Sequence, residues 1–189
     1  MNDPDRIVSS EGEELILVDL DDNEIGFRSK ADCHAGAGIR HRAFSLFLFN
    51  EDGELLLQKR SRQKRLWPGF WSNSCCSHPR RGETLETATQ RRLSDELNIS
   101  AQLEHIYHFC YQADFASSGA ENELCHVYLG RVLGEVRPNS SEVEAVRLIS
   151  AMELDREFER RPKDFTPWFK QEWRRLNTDF REQLGRYAI

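Results

Sequence analysis

The sequence predicts an α/β (α+β) fold in which helices pack on a mixed β-sheet. Three observations predict it. Strand-like apolar runs lie at 14–19, 43–49 and 55–57, and again near 104–113, 122–132 and 143–149. Helix-start signals stand at Thr84, at Ser150 and at Thr166-Pro167. With 189 residues the chain suits one domain with a core of its own.

Taken in order, residues 1–10 are expected to be a flexible N-terminus ahead of a single domain over 11–189. Glu14-Leu-Ile-Leu-Val-Asp19 reads as a strand closed by an Asp-Asp-Asn turn at 21–23. The polar, glycine-rich stretch 28–40 reads as loop. His41 opens Ala43-Phe-Ser-Leu-Phe-Leu-Phe49, an unbroken apolar run expected of a strand buried on both faces. Glu51-Asp-Gly53 signals a hairpin, and Leu55-Leu-Leu57 is the returning strand. The segment 59–83, with Pro68, Gly69, Pro79 and Gly82, is too long for a mere connection, and such loops are usually functional. Thr84 caps a helix expected to reach Leu97, with Leu85, Ala88, Leu93 and Leu97 on its apolar face. Strands follow near 104–113, 122–132 and 143–149. Ser150 then opens a short helix ending before Pro162. Thr166 and Pro167 are an N-cap and first-turn pair for a final helix to about Arg186.

Composition excludes several classes. The apolar run at 43–49 is far short of the ~18–20 residues of a spanning helix, and no membrane partner is expected. Met1-Asn-Asp-Pro-Asp-Arg6 has no apolar stretch behind it, so no secretory signal is expected. The five cysteines are odd in number and show no C-x-x-C spacing. Neither a disulfide framework nor a four-thiolate zinc site is suggested. The expectation is a cytoplasmic protein with free thiols. A net charge of −6 argues against a general nucleic-acid binder.

Some residues resist a bland reading. Glu121 and Glu123, two apart on an expected strand, project to one face. Carboxylates that close repel one another unless a cation or proton sits between them; the alternative is a solvated turn edge. Glu96 falls next to a helix's apolar stripe and needs a partner there, either a ligand or Arg92 one turn back. His34, His41 and His78 stand at or near loop ends. With the carboxylate pair they could make a mixed nitrogen and oxygen metal site, though each could equally be an ordinary hydrogen-bonded imidazole. Cys76, in a turn-rich polar loop, reads either as a reactive thiol or as a small buried hydrophobe. Lys59-Arg-Ser-Arg-Gln-Lys-Arg65 carries five cations without interleaved aromatics, which favours a phosphate clamp over a nucleic-acid patch or a solvated loop.

Together these segments carry a resemblance. Trp67-Pro-Gly-Phe-Trp-Ser-Asn-Ser-Cys-Cys-Ser-His-Pro79, with Tyr111 and Glu121-Asn-Glu123 downstream, resembles the type I isopentenyl-diphosphate Δ-isomerases, from about Val18 to Trp168. The resemblance implies a Nudix fold, with the mixed sheet sandwiched between helices. It also implies the interconversion of isopentenyl and dimethylallyl diphosphate by a double-bond shift through a tertiary carbocation. Gly82–Glu96 resembles a degenerate Nudix box. A hydrolase box would have Glu at the position of Arg92, Glu for Asp95 and Gly for Asn98, and losing the carboxylate at 92 favours isomerase over hydrolase.

Carried over residue by residue, the resemblance implies a Zn²⁺ or Mn²⁺ site at His34, His41, His78, Glu121 and Glu123. It implies a Mg²⁺ bridging the substrate diphosphate to Glu96, and a diphosphate clamp of Lys30, Arg60, Lys64 and Arg92. Cys76, not Cys75, falls on the catalytic thiol, Glu123 on its acid–base partner with Tyr111 beside it, and Trp168 on the aromatic facing the reacting carbons. The implied partner is a small diphosphate, and the expected state is a monomer or weak dimer.

Overall fold

A computed structural model describes residues 6–188. Its strands form one mixed sheet around β3 (His41–Phe49). One edge of β3 pairs along its whole length, in parallel, with β8 (Ala120–Arg131), which pairs antiparallel with β7 (Leu103–Asp114). Three antiparallel partners share the other edge of β3. β1 (Glu14–Val18) meets its start, β6 (Cys75–Ser77) its middle and β4 (Leu55–Arg60) its end. β2 (Glu24–Ser29) extends the sheet beyond β1, and β5 (Trp71–Ser72) and β9 (Val143–Ile149) flank β4.

The apolar run of β3 is explained by its two buried faces. Phe44, Leu46 and Leu48 pack with Ala88, Leu93 and Leu97 of α2 (Leu85–Leu97). Ala43, Phe47 and Phe49 pack with Trp168, Phe169, Trp173 and Leu176 of α4 (Pro167–Thr178). α3 (Ala151–Arg160) adds Leu154 to the second core. The helix starts behave as read: Thr84 and Ser150 accept hydrogen bonds from the backbone N–H groups of Thr87 and Glu153. Asn98 closes α2 in the left-handed region, at φ 56°.

Four readings need correction. The stretch 28–40 is not all loop, because β2 runs to Ser29 and α1 (Lys30–Cys33) follows it. β2 is a largely exposed edge strand and α1 is one turn, so neither writes a hydrophobic period into the sequence. Within 59–83, Cys76 lies on a strand rather than in a loop, paired opposite Ser45 of β3. Three-residue β6 is too short for alternation to be legible. Thr166 occupies the N-cap position of α4 without capping it, since its hydroxyl bonds Ser72 Oγ at 3.0 Å instead. The final helix stops at Thr178 and resumes as α5 (Arg181–Leu184). At the break Phe180 leaves the helix axis to stack on Tyr107, ring centroids 4.6 Å apart.

Residues 1–5 of the expected flexible terminus lie outside the described residues. Residues 6–10 lie on the domain: Val8 is buried, and its carbonyl accepts from Arg80 and Arg92. Among the described residues no helix is long and apolar enough to cross a membrane. All five cysteines are free.

Candidate active site

A narrow cleft of about 70 Å³ opens where β6 and β8 meet the start of α4. Of the residues singled out from the sequence, all but His41 and Glu96 line it. Local folding explains how. His34 ends α1, His41 begins β3 and His78 follows β6, so three strand or helix ends converge. Glu121 and Glu123 project from β8 on one face, and Glu123 sits directly opposite His41 and Tyr111 in the ladder.

The three imidazoles and two carboxylates offer ligand atoms within 4.8 Å of one another. Their ring nitrogens are already sorted. His34 Nδ1 bonds the Lys30 carbonyl and His41 Nδ1 the Ile39 carbonyl, both at 2.7 Å, so each Nδ1 donates. That points Nε2 of both rings at the cluster; His41 Nε2 is a lone pair there, while against burial the Glu121 charge raises the pKa of His34 and favours a proton on its Nε2. His41 Nε2 and Glu121 Oε2 are buried without a hydrogen-bond partner, although His34 Nε2 lies 2.8 Å from Glu121 Oε2 at a poor angle. His78 Nε2 is 2.8 Å from Glu123 Oε1.

Burial and then the neighbouring Glu121 charge push the Glu123 carboxyl well above the usual range. Glu121 goes the other way: burial would raise it, but the His34 ring overrides this and holds it at about 2. Burial, then His34, lowers His41 to about 4, so its ring is neutral near pH 7. Two close buried carboxylates beside three convergent imidazoles, with His41 Nε2 unpartnered, fit a divalent cation of intermediate softness.

Beside the cluster stands a cationic wall of Lys30, Arg60, Lys64, Arg65 and Arg92. Arg60 is fixed by the Leu66 and Trp67 carbonyls, with its guanidinium carbon 5.3 Å from the centre of the Trp168 ring. Arg92 is buried and donates to Glu96 Oε1 at 2.5 and 2.9 Å. Glu96 therefore lies behind Arg92 rather than on the cleft wall, and the ion pair weighed from the sequence is present. Burial alone would protonate Glu96, yet Arg92 and Lys64 keep its pKa low. Burial, then Arg92, depresses the pKa of Lys30.

Opposite these charges the wall is aromatic and carries the thiol. β6 alternates, so Cys75 points into the α2-side core while Cys76 points to the cleft. Cys76 Sγ donates to Asn73 Oδ1 at 2.8 Å and lies 3.5 Å from Ser45 Oγ. Burial, then the Glu172 charge, pushes Cys76 up to about 12, so it is a protonated thiol near neutrality. Tyr111 donates to Glu123 Oε2 at 2.7 Å. The Trp168 ring meets Trp67 edge-on, with centroids 5.1 Å apart.

Sequence reasoning missed three contributors. Glu142 is buried against Lys64 and lies 3.1 Å from Arg92 Nη2, but it follows an irregular turn with no periodicity to mark it. Asn73, inside the quoted motif, accepts a hydrogen bond from the thiol through its Oδ1. Glu172 is fully buried on α4 and bonds Cys125 Sγ. Its spacing, four residues after Trp168, was the available signal, because that places a carboxylate on the helix's buried face.

Comparison with known proteins gives the family. The NUDIX domain family model matches residues 39–169. An isopentenyl-diphosphate Delta-isomerase of Serratia proteamaculans is 41% identical over 93% of this chain and 98% of its own length. One from Brevibacterium linens is 39% identical over 91% and 96%. A solved structure from Deinococcus radiodurans, 22% identical, superposes with a TM-score of 0.71 over 86% of this chain and 98% of its own, which bears on the fold alone. With the family model spanning most of the sheet and the relatives nearly the whole chain, this protein belongs to the isopentenyl-diphosphate Delta-isomerase family of NUDIX-domain proteins.

Proposed function

We propose that this protein interconverts isopentenyl and dimethylallyl diphosphate. The observation that carries the reading is the placement, in one cleft, of the Cys76 thiol and the Glu123 carboxyl beside a cationic wall. A hydrolase needs a carboxylate-held metal to activate water on the diphosphate. Here Arg92 stands where that box would supply Glu, and it binds Glu96 itself.

Lys30, Arg60, Lys64 and Arg92 hold the diphosphate, which points the five-carbon tail at Cys76, Tyr111 and Trp168. An alkene is a weak base, so a proton must come from a well-positioned acid in a water-poor site. Protonation of the terminal methylene breaks an S–H or O–H bond and forms a C–H bond, leaving a tertiary cation. Loss of a proton from the carbon nearer the diphosphate restores the alkene. Cys76 and Glu123 supply and accept these protons and exchange roles in the reverse direction. Tyr111 holds Glu123 in position through its 2.7 Å bond. The Trp168 face, with Trp67 packed on its edge, stabilises the cation and keeps water out.

The residues that would hold Zn²⁺ or Mn²⁺ are His34, His41, His78, Glu121 and Glu123; Glu96 would serve a Mg²⁺ that arrives with the diphosphate only after exchanging its bonds to Arg92, which now stands between it and the cleft. Bound there, the cations would neutralise carboxylate and diphosphate charge and fix the Glu123 carboxyl. Of the basic segment, Arg60, Lys64 and Arg65 line the cleft and Lys64 pairs with buried Glu142, while Lys59 and Arg62 are neutralised by Glu144 at the surface, which supports a small-molecule partner over nucleic acid. A cytoplasmic monomer or weak dimer is the expected setting.

The test is proton NMR of isopentenyl diphosphate incubated with protein and divalent metal. The expected result is growth of the two methyl signals of dimethylallyl diphosphate. Phosphate release from nucleoside diphosphate compounds without any double-bond shift would overturn the reading in favour of hydrolysis.

A further inference from the structure

On the opposite face of β7 and β8 from the cleft lies a second histidine cluster, which the proposed reaction does not use. His105, His108 and His126 offer one ring nitrogen each within 4.8 Å of one another. His105 and His108 are three residues apart on one strand, which would normally send them to opposite faces. A β-bulge prevents this. The β7–β8 register slips between His105 and Tyr107, so Ile106 has no partner, and His105 opposes Tyr128 while His108 opposes His126. All three imidazoles then share one face. Bulges that re-aim a side chain in this way are common beside functional sites.

The nitrogens are spaced for coordination. His126 Nδ1 and His105 Nε2 are 3.1 Å apart. Two nitrogens on one tetrahedral zinc, each at 2.0–2.1 Å, would be about 3.3 Å apart. The ring centroids of His105 and His108 lie 5.2 and 5.3 Å from that of His126. Outer support is present as well. His126 Nε2 is 3.0 Å from Asp22 Oδ2, and an ionised carboxylate can only accept, so Nε2 carries the proton and Nδ1 is the lone pair, turned toward His105 Nε2. Asp22 is held in turn by Arg42, whose Nε donates to Oδ1 and whose Nη2 donates to the Asp22 carbonyl, both at 2.7 Å. Asp22 keeps this position at φ 63°, a left-handed conformation uncommon for a non-glycine residue. Burial, against the pull of Asp22, lowers His126 to about 4, so the ring is neutral near pH 7.

We propose that the bulge at Ile106 builds a second, solvent-facing metal site in which His105, His108 and His126 bind a divalent transition metal such as Zn²⁺, oriented by Asp22 through His126. His105 and His108 are exposed, so a coordination position stays open to water, and the ion would tie β7, β8 and the β1–β2 turn together. The site does not depend on the reading of the cleft.

The experiment is equilibrium dialysis of the metal-stripped full chain against micromolar free Zn²⁺, followed by elemental analysis. The His105→Gln/His108→Gln double variant changes only exposed side chains. It is expected to bind one ion fewer per chain than the parent and to keep the parent's melting temperature without metal. Imidazole resonances of His105, His108 and His126 should shift on adding Zn²⁺ to the parent. Asp22→Asn should retain the site with roughly 10-fold weaker affinity. Equal ion counts in parent and double variant, or unshifted resonances of these three rings, would overturn the proposal. An unchanged affinity in Asp22→Asn would overturn the role given to Asp22.

Discussion

Replacing Glu172 by glutamine should change how stability depends on pH. Glu172 is fully buried on α4, accepts a long bond from Cys125 Sγ at 3.5 Å, and its Oε2 has no partner. Burial raises its carboxyl from an ordinary 4.5 to about 7. The sign follows from proton counting. Between those values the native state keeps a proton that the unfolded chain has released, so stability falls as pH rises. Below about pH 4.5 the native carboxyl carries no penalty; above about pH 7 the full penalty applies. A gap of about 2.5 units at 1.36 kcal/mol per unit is about 3 kcal/mol. Glu172→Gln keeps the shape and removes the titration. Urea unfolding at pH 5 and pH 8 reads the difference. The variant should be close to the parent at pH 5 and more stable by about 3 kcal/mol at pH 8. An offset from the parent that is the same at both pH values would refute the reasoning.

Cys76→Ala should abolish isomerisation while Cys75→Ala leaves turnover and lowers thermal stability, because only Cys76 faces the cleft; loss of activity in both variants, or in neither, rejects the assignment. Trp168→Leu should slow turnover by roughly 30-fold, since a desolvated cation–π contact is worth ~2 kcal/mol, while Trp168→Phe keeps much of the rate. Equal rates in the two variants would remove the ring from cation stabilisation, and a large fall in melting temperature alongside slow turnover would make it a core anchor. Glu96→Gln should raise the Mg²⁺ concentration needed for half-maximal rate. It should also destabilise the chain, by less than the ~3 kcal/mol of an uncompensated buried charge, because buried Arg92 loses one charged partner and keeps Glu142; an unchanged Mg²⁺ dependence argues against the metal role.

Much of this protein was legible in its residues. The unbroken apolar run at 43–49 could only be a strand covered on both sides, and it is the centre of the sheet. Thr84 and Asn98 bracket α2 as their side chains and backbone preferences dictate. Glu121 and Glu123 share a face because a strand repeats every two residues. These are local rules, so sequence suffices for them. Tertiary structure decided what depends on partners far along the chain. The parity of β6 separates Cys76 from Cys75, and that parity comes from pairing with Ser45, thirty-one residues earlier. The pairing of Arg92 with Glu142 and the burial of Glu172 against Cys125 join segments with no shared period. The bulge at Ile106 is set by register with β8, which no short window of sequence records. Short-range periodicity writes itself into residue order, whereas register and burial of single polar groups arise only when distant strands and helices close on one another.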